Sequence, residues 1–483
     1  MTQVIAATGG PHAPVDLHAL AASAGIVAEH VIPHGRDVAK IDLRVLESSE
    51  HVCSGGAHAP YYVVVTAITP TPFGDGKTTT AIGLAQGLTR LGERAVLTLR
   101  QSAMGPTFDI TLASELMVIM SLATDLADLR RRLGHIVIGQ SRSGEWISAE
   151  DLKAAGAMCA ILRDALEPNL LRTGEGTPVL VHTGPFGNIA TGCSSVIADR
   201  VAAAGVGDGG YILTEAGFGS DIGLERFIDL KCAVSGMRPS IAVVVVTIRA
   251  LKAHSGRHRL VSSKDLPEEM LQENVEDVRA GAANLLKHLQ IVRGFGITPV
   301  VAINVFPTDH DSEIEEVTRI AHDAGARVAA CHPVTRGGEG CLDLAGTVVE
   351  ACQEAGEAAC PRPVYESQDD LRTKIAKLAE LYGADGVDYT PAASRRLDDY
   401  ERSGFGNLPV IVAKTPLSLS AEPGLKGVPT GWRLPVREVR LAAGAGYVYA
   451  ICGSLSTMPG LSSHPAAERI DVDLDTGQIM GLR

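Results

Sequence analysis

The 483-residue sequence predicts an α/β protein: a P-loop-type, mostly parallel sheet with helices on both faces, and a smaller C-terminal α/β lobe. Three observations predict it. A β-branched run, Tyr61–Ile68, leads through a glycine-rich loop and Lys77-Thr78 into apolar residues at helical spacing. The same order of apolar strand, polar loop and helix recurs after Pro178, Tyr211, Ser240, Thr298 and Leu408. The composition, 45% hydrophobic and 20% charged with 52 glycines, is that of a folded, glycine-rich globular chain.

Residues 1–60 read as an N-terminal cap, with a helix near Leu17–Ala28 and a short element at Val38–Val45. The core, residues 61–360, opens with the strand Tyr61–Ile68 and the loop Thr69-Pro-Thr-Pro-Phe-Gly-Asp-Gly-Lys-Thr-Thr-Thr80. Ala81, Leu84, Ala85 and Leu88 then follow at helical spacing. Gly74 and Gly76 allow backbone N–H groups to approach an anion, and the helix N-terminus adds partial positive charge. In such a loop Thr71, Pro72, Phe73, Gly74, Asp75, Gly76, Lys77 and Thr78 surround a nucleotide's phosphates. Lys77 reaches the outer phosphates and the Thr78 hydroxyl is placed to ligate Mg²⁺. Thr71 stands where the motif usually carries its first glycine. The alternative is an ordinary strand–turn–helix with a tight glycine turn.

Arg94–Leu99 predicts the next strand, with Arg100 at its carboxyl end, the edge of an α/β sheet that faces ligand. The competing reading of Arg100 is a surface ion pair. Leu112–Gly134 reads as one helix with Arg130, Arg131 and Arg132 in its last turn, where cations suit the helix dipole. His135–Gly139 reads as a strand, and Asp151–Leu166 as a helix capped by Ser148. Residues 253–270 read as a polar connection. His254 and His258 lie four apart there, but Gly256 between them argues against a metal pair. From residue 361 to 483 the composition shifts to a further lobe, with helices near Asp369–Tyr382 and Ala392–Ser403 and a terminal β-hairpin turning at Thr476-Gly477. No repeat of fixed period is present.

A net charge of −13 disfavours a nucleic-acid surface. Nine scattered cysteines without a Cys-x-x-Cys pair indicate free thiols in a reducing compartment. The longest strongly apolar run, Ile241–Ile248, is too short to span a bilayer. No secretory signal is evident at the N-terminus, so a cytoplasmic protein with small-molecule substrates is expected.

The loop from Thr69 to Thr80 resembles that of formate–tetrahydrofolate ligase. So do Leu99-Arg-Gln-Ser-Ala-Met-Gly-Pro-Thr, His182-Thr-Gly-Pro-Phe-Gly-Asn-Ile-Ala and Thr214-Glu-Ala-Gly-Phe-Gly-Ser-Asp-Ile-Gly. Arg249-Ala-Leu-Lys, Tyr382-Gly-Ala-Asp-Gly-Val, Gly404-Phe-Gly-Asn-Leu-Pro and Thr457-Met-Pro-Gly-Leu extend the likeness from about Ala13 to the C-terminus. The resemblance implies ATP-dependent formylation of tetrahydrofolate through formyl phosphate, with ATP and Mg²⁺ at the loop and tetrahydrofolate as a substrate. It implies Lys77 and Arg100 as the catalytic pair, Arg100 holding the formyl phosphate with its planar fork. It also implies a homo-oligomer.

Two departures stand out. After Phe108 the family carries a Gly/Ala-rich loop, a Thr-Gly-Asp stretch and further helices. Here Phe108-Asp-Ile-Thr-Leu-Ala-Ser-Glu115 follows at once, as if the intervening segment were cleanly excised. Phe218 and Phe306 match two of the aromatic side chains that hold the pterin in relatives, but Val334 replaces the tryptophan expected before Gly337-Gly-Glu-Gly340. Without the resemblance both phenylalanines also read as core aromatics. Two other functions therefore compete with the family reaction: an ATP-dependent acyl-phosphate-forming ligase with a non-folate amine acceptor, and a catalytically silent nucleotide-binding relative.

Overall fold

A computed structural model describes residues 15–47, 59–101, 114–185, 191–258, 260, 266–355, 361–453, 471–472 and 479–480. In chain order the strands of its main sheet are β1 (Val31–Pro33), β2 (Ala39–Ile41), β3 (Tyr61–Ala67) and β4 (Ala95–Arg100). After a separate hairpin, β5 (Val137–Gln140) and β6 (Trp146–Ser148), come β7 (Asn169–Arg172), β8 (Pro178–His182), β9 (Tyr211–Glu215), β10 (Ile241–Val246), β11 (Thr298–Asn304) and β12 (Arg327–Cys331). They pair in the order β1-β2-β7-β8-β4-β9-β3-β10-β11-β12. From β8 to β12 every pairing is parallel, and β1, β2 and β7 add an antiparallel edge. This is a large, mostly parallel α/β sheet. The N-terminal stretch read as a cap supplies β1 and β2 to it.

Alternation along β3 explains the two-faced core. Tyr62 and Val64 belong to one apolar cluster, with Ile197, Val201, Leu285 and Leu289 from helices Val196–Val206 and Val275–Gly294. Val63, Val65 and Ala67 belong to the other, with Ala81, Leu84 and Leu88 of helix Lys77–Arg90 and Leu344 and Val348 of helix Leu342–Ala355. All six residues of β10 are buried, as a strand covered on both sides requires. At roughly 1.5–3 kcal/mol per buried aliphatic side chain, this central packing fixes the strand ends on which the site is built.

The C-terminal lobe has its own sheet, β13 (Val387–Tyr389), β14 (Val410–Ala413), β15 (Leu434–Ala442) and β16 (Tyr447–Cys452), in the order β13-β15-β16-β14. Helices Leu371–Tyr382 and Pro391–Arg402 share its core through Leu371, Leu378, Tyr382 and Leu397. Three buried polar links join the lobe to the wide, π-type helical turns over Ser220–Cys232. Lys414 Nζ lies 2.7 Å from Asp221 Oδ2, Val364 N donates to Asp229 Oδ1 at 2.9 Å, and Arg226 donates to the Val412 carbonyl. The terminal strands β17 (Asp471–Val472) and β18 (Ile479–Met480) pair antiparallel as expected, while their turn lies outside the described residues.

Several elements differ from the sequence expectation. The described part of the span read as one helix, from residue 114 to Gly134, holds two helices, Glu115–Leu122 and Leu126–Gly134, because Asp125 is extended and caps the second through a 2.8 Å bond from Asp128 N. The helix expected from Asp151 begins at Ala155. Lys153 sits at φ 56°, and Ser148 bonds Asp151 within a turn. The helix from Leu17 ends at Ser23, well before Ala28.

Candidate functional site

The loop after β3 is shaped from within. Gly74 and Gly76 adopt φ of 74° and 73°, left-handed values that favour glycine. A Cβ on Gly76 would fall 2.2 Å from Asn304 Nδ2, so only glycine fits there. Asp75 turns inward. Its carboxylate accepts from Thr71 N at 2.9 Å and Thr247 Oγ1 at 3.2 Å, and its carbonyl accepts from Asn304 Nδ2 at 3.1 Å. Burial raises the Asp75 pKa, opposed by the Thr71 bond and by the nearby Lys77 and Arg249 charges. Thr69, at the start of the loop, is held on every polar atom: its N–H by Asn284, its carbonyl by His254, and its hydroxyl by Asn284 and His288.

Lys77 opens the helix at the carboxyl end of β3. Next to it Thr78 Oγ1 donates to Glu215 Oε1 at 2.9 Å. Glu215 ends β9, beside β3 in the sheet, and is only 3% exposed. Burial raises its pKa, opposed first by the Thr78 bond and then by the charges of Lys77 and Arg100. Arg100, half-buried at the end of β4, also donates to the Pro185 carbonyl at 3.4 Å. Three adjacent strands thus bring two cations, a hydroxyl and a buried carboxylate to one sheet edge, the edge where open α/β sheets hold ligands. The parallel sheet brings Lys77, Thr78 and Arg100 around Glu215.

Phe218 and Phe306 lie on the loops after β9 and β11, at the same edge, and both are partly exposed. Phe218 has a φ of 55°, a costly conformation for a bulky residue. The Arg249 guanidinium lies 3.8 Å from the centre of the Phe306 ring. Val334 is 61% exposed on the short helix Pro333–Arg336 after β12. That helix sits close to the one from Lys77 because Gly83 has no side chain: a Cβ there would meet Cys341 Sγ at 2.6 Å and Pro333 Cβ at 2.8 Å. The joined sequence after Phe108 lies outside the described residues.

Glu215, Arg249 and Asn304 were not singled out from the sequence as site residues. Their signal was position, since each ends or directly follows a parallel strand. His254 and His258 do not pair on a metal: His254 is committed to Thr69 and His258 lies 2.6 Å from Asp277. Among the described residues no group of three or more His, Cys, Asp or Glu is placed to hold a metal ion, and no helix is long and apolar enough to cross a membrane. A cavity of about 540 Å³ opens elsewhere, between Leu43, Leu126, Leu166 and Arg200, and neither the loop after β3 nor Glu215, Arg100, Phe218 or Phe306 lines it. The chemistry converges at the sheet edge instead.

Comparison with known proteins matches the chain to the family described as formate–tetrahydrofolate ligase, over residues 10–110 and again over 107–483. The two pieces meet at the junction where the sequence suggested an excised segment. A formate–tetrahydrofolate ligase of Cutibacterium acnes is 49% identical over 557 residues, covering 96% of this chain and 97% of that one. Since this chain has 483 residues, at least 74 of those aligned positions have no counterpart in it. A formate–tetrahydrofolate ligase of Saccharopolyspora erythraea is 47% identical over 559 residues with the same coverage. One of Roseiflexus sp. is 44% identical over 560 residues, again covering 96% and 97%. Among solved structures, a chain of the MinC:MinD cell division complex of Aquifex aeolicus aligns at TM-score 0.28 and 14% identity, over 63% of this chain and all of that one, too slight a likeness to bear on the fold. Matched along nearly its whole length, the protein belongs to the formate–tetrahydrofolate ligase family of enzymes.

Proposed function

We propose that the chain converts formate, ATP and tetrahydrofolate to 10-formyltetrahydrofolate, ADP and phosphate, by way of formyl phosphate. The observation that carries this reading is the convergence of Lys77, Thr78, Arg100 and Glu215 at one strand edge, in a chain of this family. Formate is a poor acyl donor because its leaving group is an oxide. Attack of a formate oxygen on the γ-phosphorus of ATP expels ADP and converts that oxygen into part of a phosphate leaving group. The amine of tetrahydrofolate then attacks the formyl carbon, phosphate departs, and the amine proton is lost. No covalent bond to the enzyme is needed.

In this reading residues Thr71 to Thr78 cradle the ATP phosphates through backbone N–H groups, with Asp75 bracing the loop from inside. Lys77 offsets charge on the transferring phosphoryl group. Arg100 holds the acyl phosphate with a planar fork of donors. Thr78 and Glu215 form a hard-oxygen donor set that fits Mg²⁺ held largely by phosphate. When bound, that ion would offset charge on the phosphates. Phe218 and Phe306 are the proposed walls for the pterin. The division into 1–60, 61–360 and 361–483, a homo-oligomer and a cytoplasmic setting belong to the same reading.

A second reading keeps the ATP half and changes the acceptor to a non-folate amine. It is favoured by exposed Val334 where relatives carry tryptophan, and by the relatives' segment that has no counterpart here, at the junction where the two family matches meet. Release of ADP separates the readings. Turnover only with formate and tetrahydrofolate together supports the first; turnover with formate that ignores tetrahydrofolate supports the second; no release sinks both.

A further inference from the structure

Arg249 joins two parts of the site that the reaction uses separately. It follows β10, on the helix Ile248–His254 that Thr247 caps through a 3.1 Å bond from Ala250 N. One terminal nitrogen donates to the Gly74 carbonyl, at the tip of the phosphate loop. The guanidinium carbon lies over the Phe306 ring, 3.8 Å from its centre, and so covers one face of it. Phe306 is held by its own loop, since its N–H donates to Asp309 Oδ2 at 2.9 Å. Arg249 Nε is buried and has no hydrogen-bond partner among the described residues. The guanidinium therefore retains a spare donor while resting on an aromatic face.

Resting on the folate reading above, we propose that Arg249 is a positioning residue that couples nucleotide binding to acceptor binding. The Gly74 carbonyl holds the guanidinium over Phe306, where it covers a face of the ring. Phosphate oxygens at the loop are ionised acceptors, and a guanidinium bonds them about twice as strongly as it bonds a neutral carbonyl. They draw Arg249 off the ring and uncover it for a planar heterocycle. Removing a cation–π contact of this kind corresponds to roughly three- to thirtyfold in an equilibrium. By reciprocity the acceptor raises nucleotide affinity by the same factor.

The experiment is calorimetric titration of tetrahydrofolate, with and without the non-hydrolysable analogue adenylyl imidodiphosphate and Mg²⁺. The unmodified chain should bind tetrahydrofolate on the order of tenfold more tightly with the analogue present. Arg249→Ala uncovers the ring permanently. It should bind tetrahydrofolate without the analogue as tightly as the unmodified chain does with it, and the analogue should add nothing. Arg249→Lys keeps the charge but loses the planar cover, and should give an intermediate ratio. It also serves if the alanine variant does not fold. A ratio near one in the unmodified chain, or an unchanged ratio in the folded variants, overturns the coupling while leaving the folate reading intact. No tetrahydrofolate binding under either condition overturns the folate reading and the coupling with it.

Discussion

Replacing Thr78 with valine tests the core of the site at one atom. Valine matches threonine in shape and removes the hydroxyl that donates to Glu215 Oε1 at 2.9 Å. Glu215 is 3% exposed, so water cannot readily replace the lost donor. A hydrogen bond to a charged group contributes about 1.5–3 kcal/mol, and the same energy lost from a transition state slows turnover roughly ten- to a hundredfold. Thr78→Val is therefore expected to lower unfolding stability by about 1–3 kcal/mol and ADP release by at least tenfold, whereas Thr78→Ser stays near the unmodified enzyme. The pH profile carries a sign. Burial already raises the Glu215 pKa and the Thr78 bond is the largest opposing influence, so its loss raises the pKa further and moves the acid limb of activity to higher pH. Urea titration and initial rates across pH and Mg²⁺ concentration are the assays. A valine variant with unchanged stability and rate refutes the arrangement. A stability loss with an unchanged rate makes Thr78 a brace with no part in the reaction.

Lys77→Ala should abolish ATP-dependent turnover while circular dichroism shows an intact fold, and Arg100→Ala should slow acyl-phosphate formation more than it weakens nucleotide binding; near-normal turnover of the first, or equal loss of both functions in the second, contradicts the roles. Lys414→Met leaves the buried Asp221 carboxylate without its 2.7 Å partner and should cost about 3–5 kcal/mol by chemical denaturation. Asp229 is pushed up to about 8, chiefly by burial. Its folded pKa lies above its unfolded one, so its contribution falls as pH rises from the ordinary carboxylate range through about 8. Asp229→Asn should therefore gain stability relative to the unmodified chain between pH 6 and pH 9, by up to a few kcal/mol, read as the difference in melting temperature at each pH.

The parallel core was legible because its strands are short apolar runs ending in polar loops. β3, β9, β10 and β11 fall within a residue or so of where the runs placed them. β7 and β12 were not seen: Asn169–Arg172 and Arg327–Cys331 are too short and mixed to stand out from neighbouring helices. The break between Leu122 and Leu126 was hidden for a similar reason, since Asp125 acts as a cap only once the chain around it is extended. The placing of Lys77, Thr78 and Arg100 at one sheet edge was legible because a glycine-rich turn into a helix and a strand end have local signatures. Glu215 and Arg249 were not, since their partners Thr78, Gly74 and Phe306 are 137, 175 and 57 positions away in the chain, and only the strand order brings them together.

The central claim is that a formate oxygen bonds to phosphorus before the formyl group moves. Formate carrying ¹⁸O in both oxygens tests it directly in a single incubation with ATP and tetrahydrofolate, followed by mass analysis of the phosphate released. Attack of formate on the γ-phosphorus leaves one labelled oxygen on phosphorus when the amine displaces it. Phosphate carrying one ¹⁸O per 10-formyltetrahydrofolate formed is the expected result. Unlabelled phosphate at the same turnover would mean that no formyl phosphate forms, and would contradict the account.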